Sequence, residues 1–261
     1  MAAGAVTAAI ITNDARACAI NGGTSDRVVI ADNLVFDRPE TTGALTLEGW
    51  VYIRAVNNAY PLFLERGGGT EAYRFGLNST ARTIYFVTEH PAANSVISTT
   101  SLALRTWHHV VCTWDKNDTG GANKKIYIDG VVDVTTGNVT DNLEGTGIIT
   151  LGSHLDGTVG NFEGYMKNIK LYEVALTQKE ITQAYQGKNI TRGLIGHWKL
   201  ESDFNDSSGF GNHGTANGTY ISNGDGAIAK QFASTRISSG DIILTAGLIG
   251  NQIVAVHIEE S

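Results

Sequence analysis

The stretch LTLEGWVYI, residues 45–53, alternates with a period of two. Leu45, Leu47, Gly49, Val51 and Ile53 share one side, while Thr46, Glu48, Trp50 and Tyr52 share the other. Successive side chains of an extended chain point to opposite faces, so this pattern predicts a strand with an apolar inner face and a mixed outer one. The same reading extends along the chain. RVVIAD (27–32), YRFGL (73–77), TIYFVT (83–88), WHHVVCTWD (107–115), KIYIDGVVDV (125–134), GIITLG (147–152) and FEGYMKNIKLYE (162–173) are short runs rich in β-branched and aromatic residues. Gly, Asn, Asp and Ser clusters separate them, as they do in an antiparallel sandwich or jelly roll. Asp129-Gly130 is the pair that a tight type I′ hairpin favours.

One helix is predicted. In LTQKEI (176–181), Thr177 and Glu180 have the spacing of a capping box, in which each side chain satisfies a free backbone donor of the first turn. Ile181, Ala184 and Tyr185 follow at helical spacing, and Gly187 stands where a C-terminal cap belongs. A domain boundary is therefore expected between Gly187 and Gly193, with 1–192 as a jelly-roll domain and 193–261 as a β-rich extension.

Composition agrees with many short strands and tight turns. Of 261 residues, 42% are hydrophobic, which suffices for a sizeable core, and 31 are glycine while only 3 are proline. The formal charge of -7, with no Lys/Arg cluster beyond Lys124-Lys125, argues against nucleic acid as a partner, because phosphate recognition needs a basic face. No run approaches the roughly 18 apolar residues of a membrane span, and MAAGAVTAAIITNDARA lacks the basic start of a signal peptide. Cys18 and Cys112 lie in apolar strand-like runs and read as buried free thiols rather than a disulfide.

LEGWVYI (47–53), TWHHVVCTWD (106–115), KIYIDG (125–130) and ITLGSHLDGTVGNFEGYMKNIKLYEVALTQKEI (149–181) resemble, in order and spacing, the laminin-G-like, concanavalin-A-like jelly-roll family. The resemblance covers residues 16 to about 186. It implies an all-β fold, a sandwich of two antiparallel sheets with one concave and one convex surface, closed by a short helix. GLIGHWKLESDFNDSSGFGNHGT (193–215) in turn resembles the first strand and turn of another copy, yet the strands that should follow in such a copy are missing. Three accounts stay open: these residues complete or flank the first domain, they add to a neighbouring chain and build a homo-oligomer or larger assembly, or they stay disordered.

Related jelly rolls include retaining glycosidases, whose chemistry requires two carboxylates about 5–5.5 Å apart. No Glu-x-Asp-x-Glu strand occurs, and Glu201-Ser202-Asp203 is the nearest approach, so no enzyme is expected. His108 and His109 are adjacent on a strand, point to opposite faces and cannot share a metal. The resemblance also implies a calcium ion at the sandwich rim. The usual carboxylates are replaced at Ile20-Asn21-Gly22 and Lys167-Asn168, leaving Asn21, Asp26, Asp115 and Asp156 as candidate ligands. Sugar binding would use an aromatic platform flanked by polar groups, for which Tyr60, Tyr73 and Tyr85 with Asn57, Asn58 and Glu71 are the candidates. The function expected is a non-catalytic structural or adhesive component of an extracellular assembly, such as a virion decoration or fibre protein that holds a surface glycan. A lectin-like carbohydrate-binding module is the alternative, and a glycoside hydrolase comes third.

Overall fold

The computed structural model describes residues 16–222, except 24, 58, 68–70, 79, 80, 89–94, 119, 137–142 and 144, together with 242–249 and 252–260. Strands β1 (Ala17–Asn21) and β2 (Arg27–Ile30) lead through a 3₁₀ turn at Leu34–Asp37 and helix α1 (Arg38–Thr42) into β3 (Ala44–Ala55). There follow β4 (Leu62–Gly67), β5 (Glu71–Asn78), β6 (Thr83–Thr88), β7 (Val96–Ser101), β8 (Trp107–Asp115), β9 (Lys124–Ile128), β10 (Val131–Thr136), β11 (Ile148–Leu151) and β12 (Glu163–Tyr172). Helix α2 (Gln178–Tyr185) precedes β13 (Leu194–Trp198), β14 (Gly214–Asn217), β15 (Tyr220–Ser222), β16 (Ile242–Ile249) and β17 (Gln252–Glu260).

Among the described residues these strands form two large antiparallel sheets. An eight-stranded sheet runs β10-β9-β8-β3-β12-β1-β15, with β13 also on β12, and a seven-stranded sheet runs β14-β2-β11-β4-β5-β6-β7. The strand read from LTLEGWVYI is central to the first sheet, and Leu45, Leu47, Val51 and Ile53 are fully buried between the two layers. Position 49 shares that inner face, and it is glycine where a Cβ would approach Ile169 Cδ1 to 2.5 Å. Phe63, Phe75 and Phe162 meet edge to face at 5.2–5.5 Å in the core. Cys18 and Cys112 are buried free thiols, and burial pushes the Cys18 thiol up to about 12. The Asp129-Gly130 turn has positive φ at both residues, as a type I′ hairpin demands.

The boundary expected at residue 192 divides strands that the sheets join. β13 pairs with β12, β14 with β2, and β15 with β1, and the compact unit runs from Ala17 to Ser222. Trp198 is fully buried, 6.3 Å from Phe36, and its indole N–H donates to Asn212 O at 2.8 Å. Asp206 ties the following turn together by accepting from the backbone N–H groups of His197, Ser208 and Asn212 at 2.8–3.0 Å. DFNDSSGFGN is thus a hydrogen-bonded plug behind Trp198. Separately, β16 and β17 form a two-stranded antiparallel hairpin from Ile242↔Glu260 to Ile249↔Gln252.

Helix α2 has the predicted capping box and lays Ile181 and Ala184 on the outer face of the eight-stranded sheet. Under it, Glu48 is buried among polar partners. Its carboxylate accepts from Lys170 Nζ at 2.8 Å and Tyr172 OH at 2.7 Å, and His109 Nε2 lies at 3.3 Å. Burial opposes the charge, but the His109 hydrogen bond and the Lys170 charge hold this carboxyl at about 2. His197 on β13 is also buried. Burial, then the Lys170 charge, lower its imidazole to about 4.

The signs of these shifts give an acid-stability profile. Below about 6.5 the unfolded chain protonates His197 while the fold resists it, so stability falls between about pH 6.5 and 4. Glu48 contributes stability above about pH 4.3 that is lost as the pH falls toward 2. Thermal melts are expected to show a midpoint that declines from pH 6.5 to 4, and His197→Gln is expected to flatten that decline without removing the loss at lower pH. No helix of the described residues is long and apolar enough to cross a membrane.

Candidate binding groove on the seven-stranded sheet

The outer face of the seven-stranded sheet is built by the alternation of its strands. On β5, Tyr73, Phe75 and Leu77 enter the core, which sends Arg74, Gly76 and Asn78 outward. On β6, Ile84 and Phe86 are core, while Tyr85 and Val87 form a separate apolar cluster with Leu62. A bulge in β4 lets both Phe63 and Leu64 face the core, so that Leu62 and Glu65 point the other way.

The chain before β4 folds over this face. Leu77 N–H donates to Pro61 O at 2.7 Å, and Leu62 N–H donates to Gly160 O at 2.8 Å. Gly76 makes this approach possible, since a Cβ at that position would stand 2.2 Å from Pro61 O. The crossing carries Tyr60 to Tyr85, where the two rings meet edge to face at 5.7 Å. Tyr60 is 56% exposed and Tyr85 only 6%. A groove of about 670 Å³ results, with Tyr60, Arg74, Asn78, Tyr85, Ile97 and His154 among its lining residues.

The charges beside the groove are organised by Glu65, which is itself fully buried. Its carboxylate accepts from Arg74 at 3.3 Å and from Leu155 N–H at 3.0 Å, and His154 Nε2 lies 3.8 Å away. Burial pushes the Glu65 carboxyl up, and the charges of His154 and Arg74 only partly offset it. On the other side of the His154 ring, Nδ1 lies 3.2 Å from Asp156. The Thr158 backbone N–H, followed by its side chain, lowers that carboxyl to about 2. The groove thus combines an aromatic pair with two nitrogen donors, Arg74 and His154, that share the buried Glu65 carboxylate as a neighbour.

The structure brings together Tyr60 and Tyr85 from the predicted aromatic platform. Tyr73 is corrected: it is 1% exposed, on the core side of β5, with the Arg66 guanidinium 5.9 Å from its ring. Alternation places it there once Phe75 is core. Asn57 is at the end of the sandwich, donating to Glu163, which also pairs with Arg54. Asn58 and the side chain of Glu71 lie outside the described residues. Arg74 and His154 were not singled out from the sequence, although Arg74 follows from its place between Tyr73 and Phe75.

The four candidate calcium ligands do not converge. Asp115 pairs with Ala44 at one end of β3, whereas Asn21 pairs with Glu163, which pairs with Ala55 at the other end. Those ends are eleven residue steps, about 36 Å, apart along the strand. Asp26 accepts from Gly23 N–H at 3.2 Å, Asp115 from Asn117 N–H at 2.9 Å and Asp156 from Thr158 N–H at 2.8 Å, so each closes its own turn. Among the described residues, no three His, Cys, Asp or Glu side chains are grouped to hold a metal.

The chain belongs to the concanavalin A-like lectin/glucanases superfamily, whose laminin-G-type model matches residues 21–182, more than half of the sequence. Two solved structures share the fold at low identity. A candidate carbohydrate-binding protein from Bacteroides ovatus is 15% identical with a TM-score of 0.60, over 81% of this chain and 60% of that one. The heptameric pentraxin of Limulus polyphemus is 14% identical with a TM-score of 0.55, over 81% of this chain and 96% of that one. Botulinum neurotoxin type C, whose cell entry depends on two ganglioside molecules, aligns at 13% identity and a TM-score of 0.50, over 67% of this chain and 43% of the toxin chain. The chain thus spans less than two thirds of the length of the Bacteroides protein. Comparison with curated protein sequences finds no match.

Proposed function

We propose that this protein is a non-catalytic glycan-binding module that receives sugar in the groove of the seven-stranded sheet. The observation that carries the reading is the exposed Tyr60 ring standing against Tyr85, with Arg74, Asn78 and His154 beside it. An aromatic face packs against the C–H face of a pyranose, and convergent polar groups fix its hydroxyls. Binding rather than hydrolysis is favoured because no carboxylate is among the described residues that line the groove, whereas glycosidase chemistry requires two flanking the bond. The fold is shared with a candidate carbohydrate-binding protein and with a neurotoxin whose cell entry depends on gangliosides, which supports the same reading. A broad glycan array is expected to give saturable hits, and Tyr60→Ala to weaken them at least tenfold with little change in melting temperature, since that ring is mostly exposed. An array without hits, or full binding by the variant, would sink the proposal.

A second reading concerns where the module works. Among the described residues, β16 and β17 pair only with each other, and an isolated two-stranded hairpin is marginal in water with two open edges. This favours a role for the C-terminal segment in joining copies of the chain, as in an adhesive component of a virion or other extracellular surface. The native mass of the full chain compared with one ending at Ser222 tests it. A multimer formed only by the full chain supports an assembly role, and two monomers refute it.

A further inference from the structure

A second cavity, of about 330 Å³, lies on the opposite sheet between β3, β12, β13 and the chain leaving α2. Its inner wall carries charged and polar groups that pair largely among themselves. Glu48 is held by Lys170, Tyr172 and His109. His197 Nε2 lies 3.1 Å from Asn168 Oδ1, and the Asn168 amide donates to Glu201 at 3.2 Å. The remaining wall is different. Lys188, Asn189, Lys199 and Ser207 line the cavity, and none of their side chains makes a hydrogen bond or ion pair among the described residues. Two lysines, an asparagine and a serine, all exposed and without a partner among the described residues, thus border one space whose carboxylate is already neutralised by Lys170. Such a donor excess matches an oxyanion, for which lysine serves as a point charge.

We propose that this pocket binds the phosphate or carboxylate group of a small molecule no larger than a sugar phosphate. The cavity would hold about eleven waters at ~30 Å³ each, near the lower end of small-molecule sites. His197 reports independently on the field inside. Burial first, and then the charges of Lys170 and Lys199, disfavour its imidazolium, against the weaker pull of Glu48 and Asp206. A bound anion offsets those lysine charges and raises the His197 pKa from about 4. The site is separate from the Tyr60 groove and does not depend on glycan binding there.

The test uses the full chain, titrated separately with inorganic phosphate, acetate and glucose 6-phosphate, with glucose as the uncharged control. Imidazole NMR and calorimetry are the readouts. At least one anion is expected to saturate, to shift the His197 resonances and to raise their titration midpoint, while glucose does neither. Phosphate alone or acetate alone saturating would identify which oxyanion the pocket prefers. Lys188→Met with Lys199→Met is expected to weaken binding at least tenfold while leaving the fold intact, because both side chains are exposed. No saturable change with any of the three anions up to about 20 mM, or undiminished binding by the double variant, overturns the proposal.

Discussion

A chain ending at Gln186 is expected to lose cooperative folding, whereas one ending at Ser222 is expected to keep it. The shorter chain lacks β13, β14 and β15, which pair with β12, β2 and β1 in the two sheets. It also lacks Ile195, Trp198 and Leu200, all fully buried in the core. Replacing one buried tryptophan by alanine costs about 3–5 kcal/mol, and a domain is stable by only about 5–15 kcal/mol in total. Removing three such side chains, and leaving their pockets open to water, exhausts that margin. Near-UV circular dichroism and thermal melting provide the check. A Gln186-terminated chain that melts cooperatively near the full-length midpoint would contradict the single-sandwich account.

Lys170→Met is expected to cost about 3–5 kcal/mol, seen as a lower denaturant midpoint at unchanged slope. The reason is the partner left behind. Glu48 is 1% exposed, and without the ammonium 2.8 Å away its carboxylate stays buried with only His109 and Tyr172. Adding Glu48→Gln removes the stranded charge and is expected to recover part of the loss. If Lys170→Met alone were neutral, the charge cluster under α2 would not be organised as described.

The core was readable because its signals are local. Alternation in LTLEGWVYI, the Asp129-Gly130 turn and the Thr177–Glu180 capping box each lie within a few residues, and each takes its expected form. The end of the domain was harder to place. GLIGHWKLESDFNDSSGFGNHGT resembles the opening of another copy, but in space it stands beside β12 and β2 of the copy already under way. Sheet neighbours that distant in sequence leave no periodic trace in the chain. The groove was half legible for a similar reason. Tyr60 and Tyr85 could be named as members of an aromatic platform, yet the face of Tyr73 depended on where β5 packs. The closeness of His154 to Glu65 and Arg74 depended on a loop about 90 residues away in the chain.

The most direct test of the central claim is a titration of the strongest glycan hit into the wild-type chain, Tyr60→Ala and Lys199→Met side by side. Tyr60 lines the groove on the seven-stranded sheet and Lys199 the pocket on the opposite one. The account predicts that affinity collapses at least tenfold in Tyr60→Ala and stays at the wild-type value in Lys199→Met. Wild-type affinity in Tyr60→Ala would contradict it and move the sugar away from the groove.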